Sequence, residues 1–333
     1  MIRVGVAGCQ HPHVEYIYTE VASRRNVTIE AVAEPDQVTR AAAARRFGVP
    51  AYADHRELLD RHRLDVVVAA GDFAGRGRIV ADSLQAGAHV LADKPLCTTA
   101  GDLGDVEASW LAGDRELSLL LEKRCWPPTL ALLNLINADV LGEITLFAAS
   151  APHRLMRAAR PPWFFDPVSY GGILNDLAVH DLDLLLWLTG TTGGVITGWT
   201  GNRTMPEHPG FDDHGLAVFR GTDGLLGTFE VHWLSPEAAP YHGDYRLRVT
   251  GTQGTAELTW KDGHIVVATH LRPPYQPPLP APIRPACGFF DAVCDGRSQM
   301  ITGSDAIAAT RLALAAQASA ADAGQPVRWC RGA

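Results

Sequence analysis

Apolar positions follow one rhythm in the first third of the chain and another beyond it. Short, mainly apolar runs, IRVGVA at 2–7, TIEAVAE at 28–34, DVVVAA at 65–70 and AHVLA at 88–92, alternate with helical patterns at 14–24, 36–46 and 76–86. Phe47-Gly48-Val49-Pro50 stops the second helix and Gly87 the third. Buried strands alternating with helices predict an α/β domain with a parallel, doubly wound sheet. From 144 onward the rhythm shortens to period two, with strand-like segments at 144–150, 195–203, 214–220, 224–234, 245–251, 254–260 and 264–268 separated by Gly-rich turns such as Thr222-Asp223-Gly224. Two helical patterns interrupt this half, the leucine-rich 171–190 and an Ala-rich amphipathic 304–322.

With 333 residues, 47% apolar and 20% charged, the chain is an ordinary globular protein of two domains, divided here as 1–122 and 123–333. A net charge of −8 gives no general attraction to nucleic acid or to anionic membranes. Six cysteines stand without a C-x-x-C pair, as suits reduced thiols in a cytoplasm. The N-terminus reads as a strand rather than a signal peptide, and no apolar run approaches the roughly 20 residues that span a bilayer. A cytoplasmic protein with small-molecule partners is expected.

The densest chemistry lies in GGILNDLAVHDLDLLLWLTG at 171–190. Helical spacing places Asp176 and His180 on one face, with Asp183 three positions further along the same stripe. Around them Leu177, Leu182, Leu184, Leu185, Leu186 and Leu188 call for burial, where an ionisable stripe is costly unless it is paired or faces a cleft. A buried His satisfied by a neighbouring Asp is one reading, and proton transfer by a His held in one tautomer is the other. A metal would need further ligands that the spacing does not supply, and no G-x-S-x-G turn offers a nucleophile.

In a parallel sheet the ligand crevice lies at the carboxyl ends of the strands, which gathers Gly8, Glu34, Ala70, Gly71, Asp93 and Lys94. An acid closing the second strand accepts hydrogen bonds from the ribose hydroxyls of NAD and repels the extra phosphate of NADP. The glycine fingerprint is incomplete, because Gln10 and His13 stand where G-x-G-x-x-G has its second and third glycines. Cys9, Gln10 and His11 complete the expected phosphate loop. His11-Pro12-His13 reads as capping or anion contact, and no metal is expected there.

Taken together, Gly8, Glu34-Pro35-Asp36, AGAHVLADKPL at 86–96, the 171–190 segment, Leu141-Gly142-Glu143-Ile144 and GTQGTAEL at 251–258 resemble the Gfo/Idh/MocA oxidoreductases over nearly the whole chain. The resemblance implies an NAD(P)-binding Rossmann domain and a second α+β domain with a large, open, mainly antiparallel sheet that builds homodimers or homotetramers. It places the catalytic lysine on Lys94, with Asp176 and His180 as partners. The activity implied is hydride transfer between nicotinamide and a hydroxyl or carbonyl of a sugar, inositol or related cyclic polyol, with NAD favoured over NADP. A redox-neutral lyase or glycosidase using bound NAD, and a sensor without chemistry, are the alternatives. Asp93 replaces the usual Glu before Lys94, and Arg76 stands at the usual His. Arg124 and Trp163, with Lys94, Asp176 and His180, are the candidate substrate contacts. The Pro-rich 272–285 reads as a surface connection.

Overall fold

The apolar run Ile2–Ala7 forms β1, with its last four residues buried, and its neighbours on both sides run parallel to it. The computed structural model describes residues 1–332. In it the chain divides into two units, Met1–Leu121 with Arg284–Ile307, and Glu122–Ile283 with the chain from Ala308 on. In the first unit β2 (Val27–Ala33), β3 (Ala51–Tyr52), β4 (Val66–Ala69), β5 (His89–Ala92) and β6 (Leu117–Leu119) join β1 in a sheet of order β3-β2-β1-β4-β5-β6, parallel at every pairing. The helices α1 (Val14–Ala22), α2 (Gln37–Phe47), α3 (His55–Arg61), α4 (Phe73–Gln85) and α5 (Ala100–Leu111) connect the strands, as a doubly wound α/β fold requires. Asp36 caps α2 by accepting from the Thr39 N–H at 2.8 Å, and Gly48 ends it in the left-handed region.

In the second unit a 3₁₀ turn, Glu122–Cys125, leads into α6 (Pro127–Asn137). After β7 (Ile144–Pro152) and the short α7 (Pro167–Tyr170), a π-helical turn, Leu174–Ala178, runs directly into α8 (Val179–Thr189). The strands β8 (Gly193–Gly201), β9 (His214–Gly221), β10 (Leu226–His232), β11 (Arg246–Gly251), β12 (Gly254–Thr259), β13 (His264–Thr269) and β14 (Arg272–Tyr275) follow. They assemble in the order β14-β13-β12-β11-β7-β10-β9-β8-β15, where β15 is Val327–Cys330, and among the described residues only β7 with β10 is parallel. The π turn, α6 and α8 pack on one face of this sheet. On the other face Leu146 lies beside Leu226, and Trp199 beside Leu216, each more than two-fifths exposed.

Two features depart from the sequence expectation. The segment 284–307 belongs to the first unit rather than to the C-terminal domain, because α9 (Cys287–Asp295) buries Phe289 and Phe290 in the core formed by β1, β2, β4 and α1. Two ion pairs fasten it, Arg24 to Asp291 at 2.6 Å and Arg284 to Glu20 at 2.5 Å. The Pro-rich stretch begins with β14, an edge strand, where missing N–H groups are tolerated. The Ala-rich helix, α10 (Gly303–Ala321), forms as expected.

Candidate active site

The carboxyl ends of the parallel strands gather the first group of candidates. Gly8 takes φ +95°, and a Cβ there would come within 2.1 Å of the Gly71 backbone nitrogen, so only glycine lets the turn after β1 meet the turn after β4. Glu34 is buried at the end of β2 and accepts from the Cys9 N–H at 2.8 Å, the Gln10 side chain at 3.3 Å and the Asp36 N–H at 3.0 Å. Burial pushes the Cys9 thiol up to about 11, so the protonated thiol is no nucleophile, and the Cys9 backbone N–H is given to Glu34. Arg40, the nearest cation in sequence, donates to the carbonyls of Glu34 and Pro35 at 2.6 and 2.9 Å.

The missing glycines have a structural explanation. Among the described residues neither Gln10 nor His13 takes a positive φ, so the loop needs glycine's freedom at Gly8 but not at these two positions. Their side chains turn to acids, Gln10 to Glu34 and His13 to Asp93. His13 Nδ1 lies 2.9 Å from Asp93 Oδ1 and His11 Nδ1 lies 2.7 Å from Oδ2. Burial alone would raise the Asp93 carboxyl, but the two imidazoles hold it well below the usual carboxylate range. His11 is driven the other way, from 6.5 to about 4, chiefly by burial. The three ligand-type atoms lie within 4.8 Å of one another, a set that offers a cation two nitrogens and a carboxylate. The short contacts make it a carboxylate clamp.

That clamp supports the Asp93-Lys94-Pro95 turn. The Lys94 N–H donates to Asp93 Oδ1 at 2.8 Å, and the Lys94 ammonium sits 5.7 Å from the Phe73 ring centre. Arg76, wholly buried in α4, donates to the carbonyls of Gly71, Asp93 and Pro95 at 2.8, 3.2 and 2.7 Å. It thereby ties the turn after β4 to the turn after β5. The loop with α1 behind it, the buried acid after β2 and the close turn at Gly8 together fit a dinucleotide: N–H groups near a helix start for the pyrophosphate, and a carboxylate for the ribose.

The second group lies in the second unit. Gly172, at φ +91°, starts the approach to the π turn, and a Cβ there would strike the Gln317 side chain, whose Oε1 accepts from the Leu174 N–H at 3.0 Å. The π turn is a local departure from the regular helix expected: Asp176 sits in an i→i+5 turn and His180 in the first turn of the α-helix after it. Asp183 is taken up by a cation. It receives a bidentate pair from Arg124 at 2.7 and 2.5 Å, both side chains almost fully buried, with the guanidinium 4.8 Å from the Trp187 ring centre. Arg124 is therefore held by Asp183 and Trp187. Trp163 lies half-buried beside Phe164, 6.0 Å between ring centres.

His180 has a partner that the sequence did not suggest. Glu122 Oε2 lies 3.6 Å from His180 Nδ1, and next to it Lys123 donates to Asp181 at 2.7 Å. Burial raises the Asp181 carboxyl, and Lys123 opposes it. Asp176 accepts from the Tyr170 hydroxyl, which in turn accepts from Trp233 Nε1 at 2.9 Å; burial and the Asp176 charge push the phenol far up, so it stays a donor. The only sequence signal for Glu122 was three consecutive charged residues directly after an apolar strand.

Known proteins match this arrangement at several levels. A model described as an oxidoreductase family with an NAD-binding Rossmann fold matches residues 2–110, and the GFO/IDH/MocA C-terminal domain matches 129–257. The chain belongs to the Gfo/Idh/MocA family. It is an oxidoreductase whose first unit is the NAD-binding Rossmann domain. The chain is 28% identical over 263 residues to inositol 2-dehydrogenase 2 of Paenarthrobacter aurescens, covering 77% of this chain and 75% of the relative. An oxidoreductase structure from Erwinia carotovora atroseptica superposes with a TM-score of 0.86 at 26% identity, covering 96% and 99% of the two chains. Levoglucosan dehydrogenase in complex with NADH shares the fold, with a TM-score of 0.85 at 19% identity and 98% and 99% coverage.

The depressed His11 gives a signed pH prediction. Its contribution is complete above about pH 6.5 and is lost as pH falls toward 4, because the unfolded chain takes up a proton that folded His11 refuses. Urea midpoints at about pH 7 and about pH 5 are expected to differ less for His11→Gln than for the wild type. An equal difference in both proteins refutes the assignment.

Proposed function

We propose that this protein is an NAD-dependent dehydrogenase acting on a hydroxyl of a sugar, inositol or related cyclic polyol. The observation that carries the reading is His180, buried in a leucine-rich helix with Glu122 at one ring nitrogen and Asp176 in the preceding π turn. An imidazole so placed is expensive as packing and useful as a base. Glu122 faces Nδ1, and a carboxylate there favours the tautomer with hydrogen on Nδ1, in which Nε2 is the basic nitrogen. As the imidazolium forms, the Glu122 carboxylate stabilises it.

NAD would be held by Gly8, Cys9, Gln10 and His11, by Glu34 at the ribose, and by Ala70, Gly71, Asp93 and Lys94, and when bound it supplies the acceptor for hydride. Lys94, fixed through the Asp93 clamp and Arg76, would stabilise the alkoxide that forms as the hydroxyl proton leaves. Asp176, with the Tyr170 hydroxyl already bonded to it, would accept from a second substrate hydroxyl. The names of the inositol dehydrogenase relative and the levoglucosan dehydrogenase neighbour support the polyol class. The exposed apolar pairs Leu146 with Leu226 and Trp199 with Leu216 support a homodimer or homotetramer built through the nine-stranded sheet.

Titration of the purified protein is expected to show binding of NAD in preference to NADP, and His180→Ala is expected to lower kcat/KM by about 10²- to 10⁴-fold while NAD affinity stays intact. Failure to bind either dinucleotide, or an unchanged rate in His180→Ala, defeats the proposal. NADH accumulating in step with substrate loss distinguishes a net dehydrogenase from a redox-neutral enzyme. Light scattering is expected to show the oligomer breaking up in Leu226→Lys, and a wild-type monomer contradicts the sheet-mediated assembly.

A further inference from the structure

The second unit contains a cavity of about 360 Å³ lined by Trp126, Tyr245, Trp260, His242, Lys261 and Leu279 among others. It is built by local pairing. Arg246 of β11 pairs with Thr259 of β12, which brings Tyr245 and Trp260 opposite each other, and the Trp260 N–H donates to the Tyr245 carbonyl at 3.3 Å. Trp126, at the start of α6, stacks on Tyr245 at 27° and meets Trp260 edge-on, with centres 6.3 and 5.9 Å apart. Trp260 Nε1 donates to Thr129 at 2.9 Å, so the indole is held by its polar edge.

The charge around the cavity is balanced. Lys261 lies 3.7 Å from Asp244 and 4.0 Å from Asp262, and Asp244 also takes Arg246 at 2.8 Å. Lys123, packed against the Tyr245 and Trp260 rings, is bound to Asp181. Aromatic walls with no surplus cation suit a neutral ring better than a phosphate-bearing one. A volume of 360 Å³ falls at the small end of ligand pockets, about right for one ring.

A relay of ring contacts also runs from the cavity to the proposed site. His153 touches Tyr245 and His242 with ring centres 4.7 and 5.2 Å away, and touches Trp233 at 5.2 Å; Trp233 donates to Tyr170, which donates to Asp176. We propose that this cavity is a second ring subsite that holds a neutral pyranose, so that the substrate is a glycoside or disaccharide whose other ring is presented to Asp176 and His180. The placement of that other ring rests on the function proposed above, whereas occupancy of the cavity does not.

The test is calorimetry on the full chain with NAD present, comparing glucose with cellobiose and maltose, and with UDP-glucose as the charged probe. At least one disaccharide is expected to bind about tenfold more tightly than glucose, a difference of about 1.4 kcal/mol. In Trp260→Ala, and separately in Leu279→Trp, which fills the cavity from its exposed rim, the ratio is expected to fall toward one. Equal affinities in the wild type, a ratio unchanged in both variants, or preferential binding of UDP-glucose overturns the proposal. Variant-sensitive disaccharide binding without any NADH formation upholds the subsite and refutes the dehydrogenase reading instead.

Discussion

Three consecutive charged residues at the start of the second unit meet three ionisable groups on one buried helix: Glu122 faces His180, Lys123 binds Asp181 and Arg124 binds Asp183. Every member of this register is at least nine-tenths buried, and each would be costly without its partner. Breaking one such pair leaves an uncompensated charge in the core, at about 3–5 kcal/mol. The register therefore fixes how α8 lies against the 3₁₀ turn. The two ion pairs are complete in themselves, whereas the His180–Glu122 contact at 3.6 Å is looser, a contrast that supports the role proposed for His180.

The first unit meets a similar constraint with different residues. One buried carboxylate, Asp93, organises two histidines, the Lys94 N–H and, through neighbouring carbonyls, Arg76. The apparent defects of the dinucleotide fingerprint and the replacements at positions 76 and 93 thus belong to one connected structure. A shorter acid meets longer neighbours. The side chains that stand where the fingerprint has glycines are each drawn to a carboxylate, His13 to Asp93 and Gln10 to Glu34.

Much of this was legible from pattern. Long strands and helices announced themselves because their periodicity persists: β7 to β13 fall within a few residues of their expected places, and the leucine-rich segment was correctly buried. Elements of two to four residues, β3, β6, β14 and β15, are too short to carry a period. Long-range partnerships were also hidden. Nothing local to Arg124 reveals that its acid lies 59 residues away. The π turn has no sequence signature of its own, and the Asp176 to His180 spacing looks the same as that of a regular helix. The return of 284–307 to the first core depends on Phe289 and Phe290 meeting residues more than two hundred positions earlier.

The pH dependence of kcat/KM in Glu122→Gln, compared with the wild type, tests the role of this register most directly. If His180 is the base and Glu122 stabilises its charged form, removing the carboxylate makes the imidazole easier to deprotonate, and the acid limb of the profile moves to lower pH. Superimposable profiles, or a limb displaced to higher pH, would contradict the assignment of Glu122 and His180 as a catalytic pair.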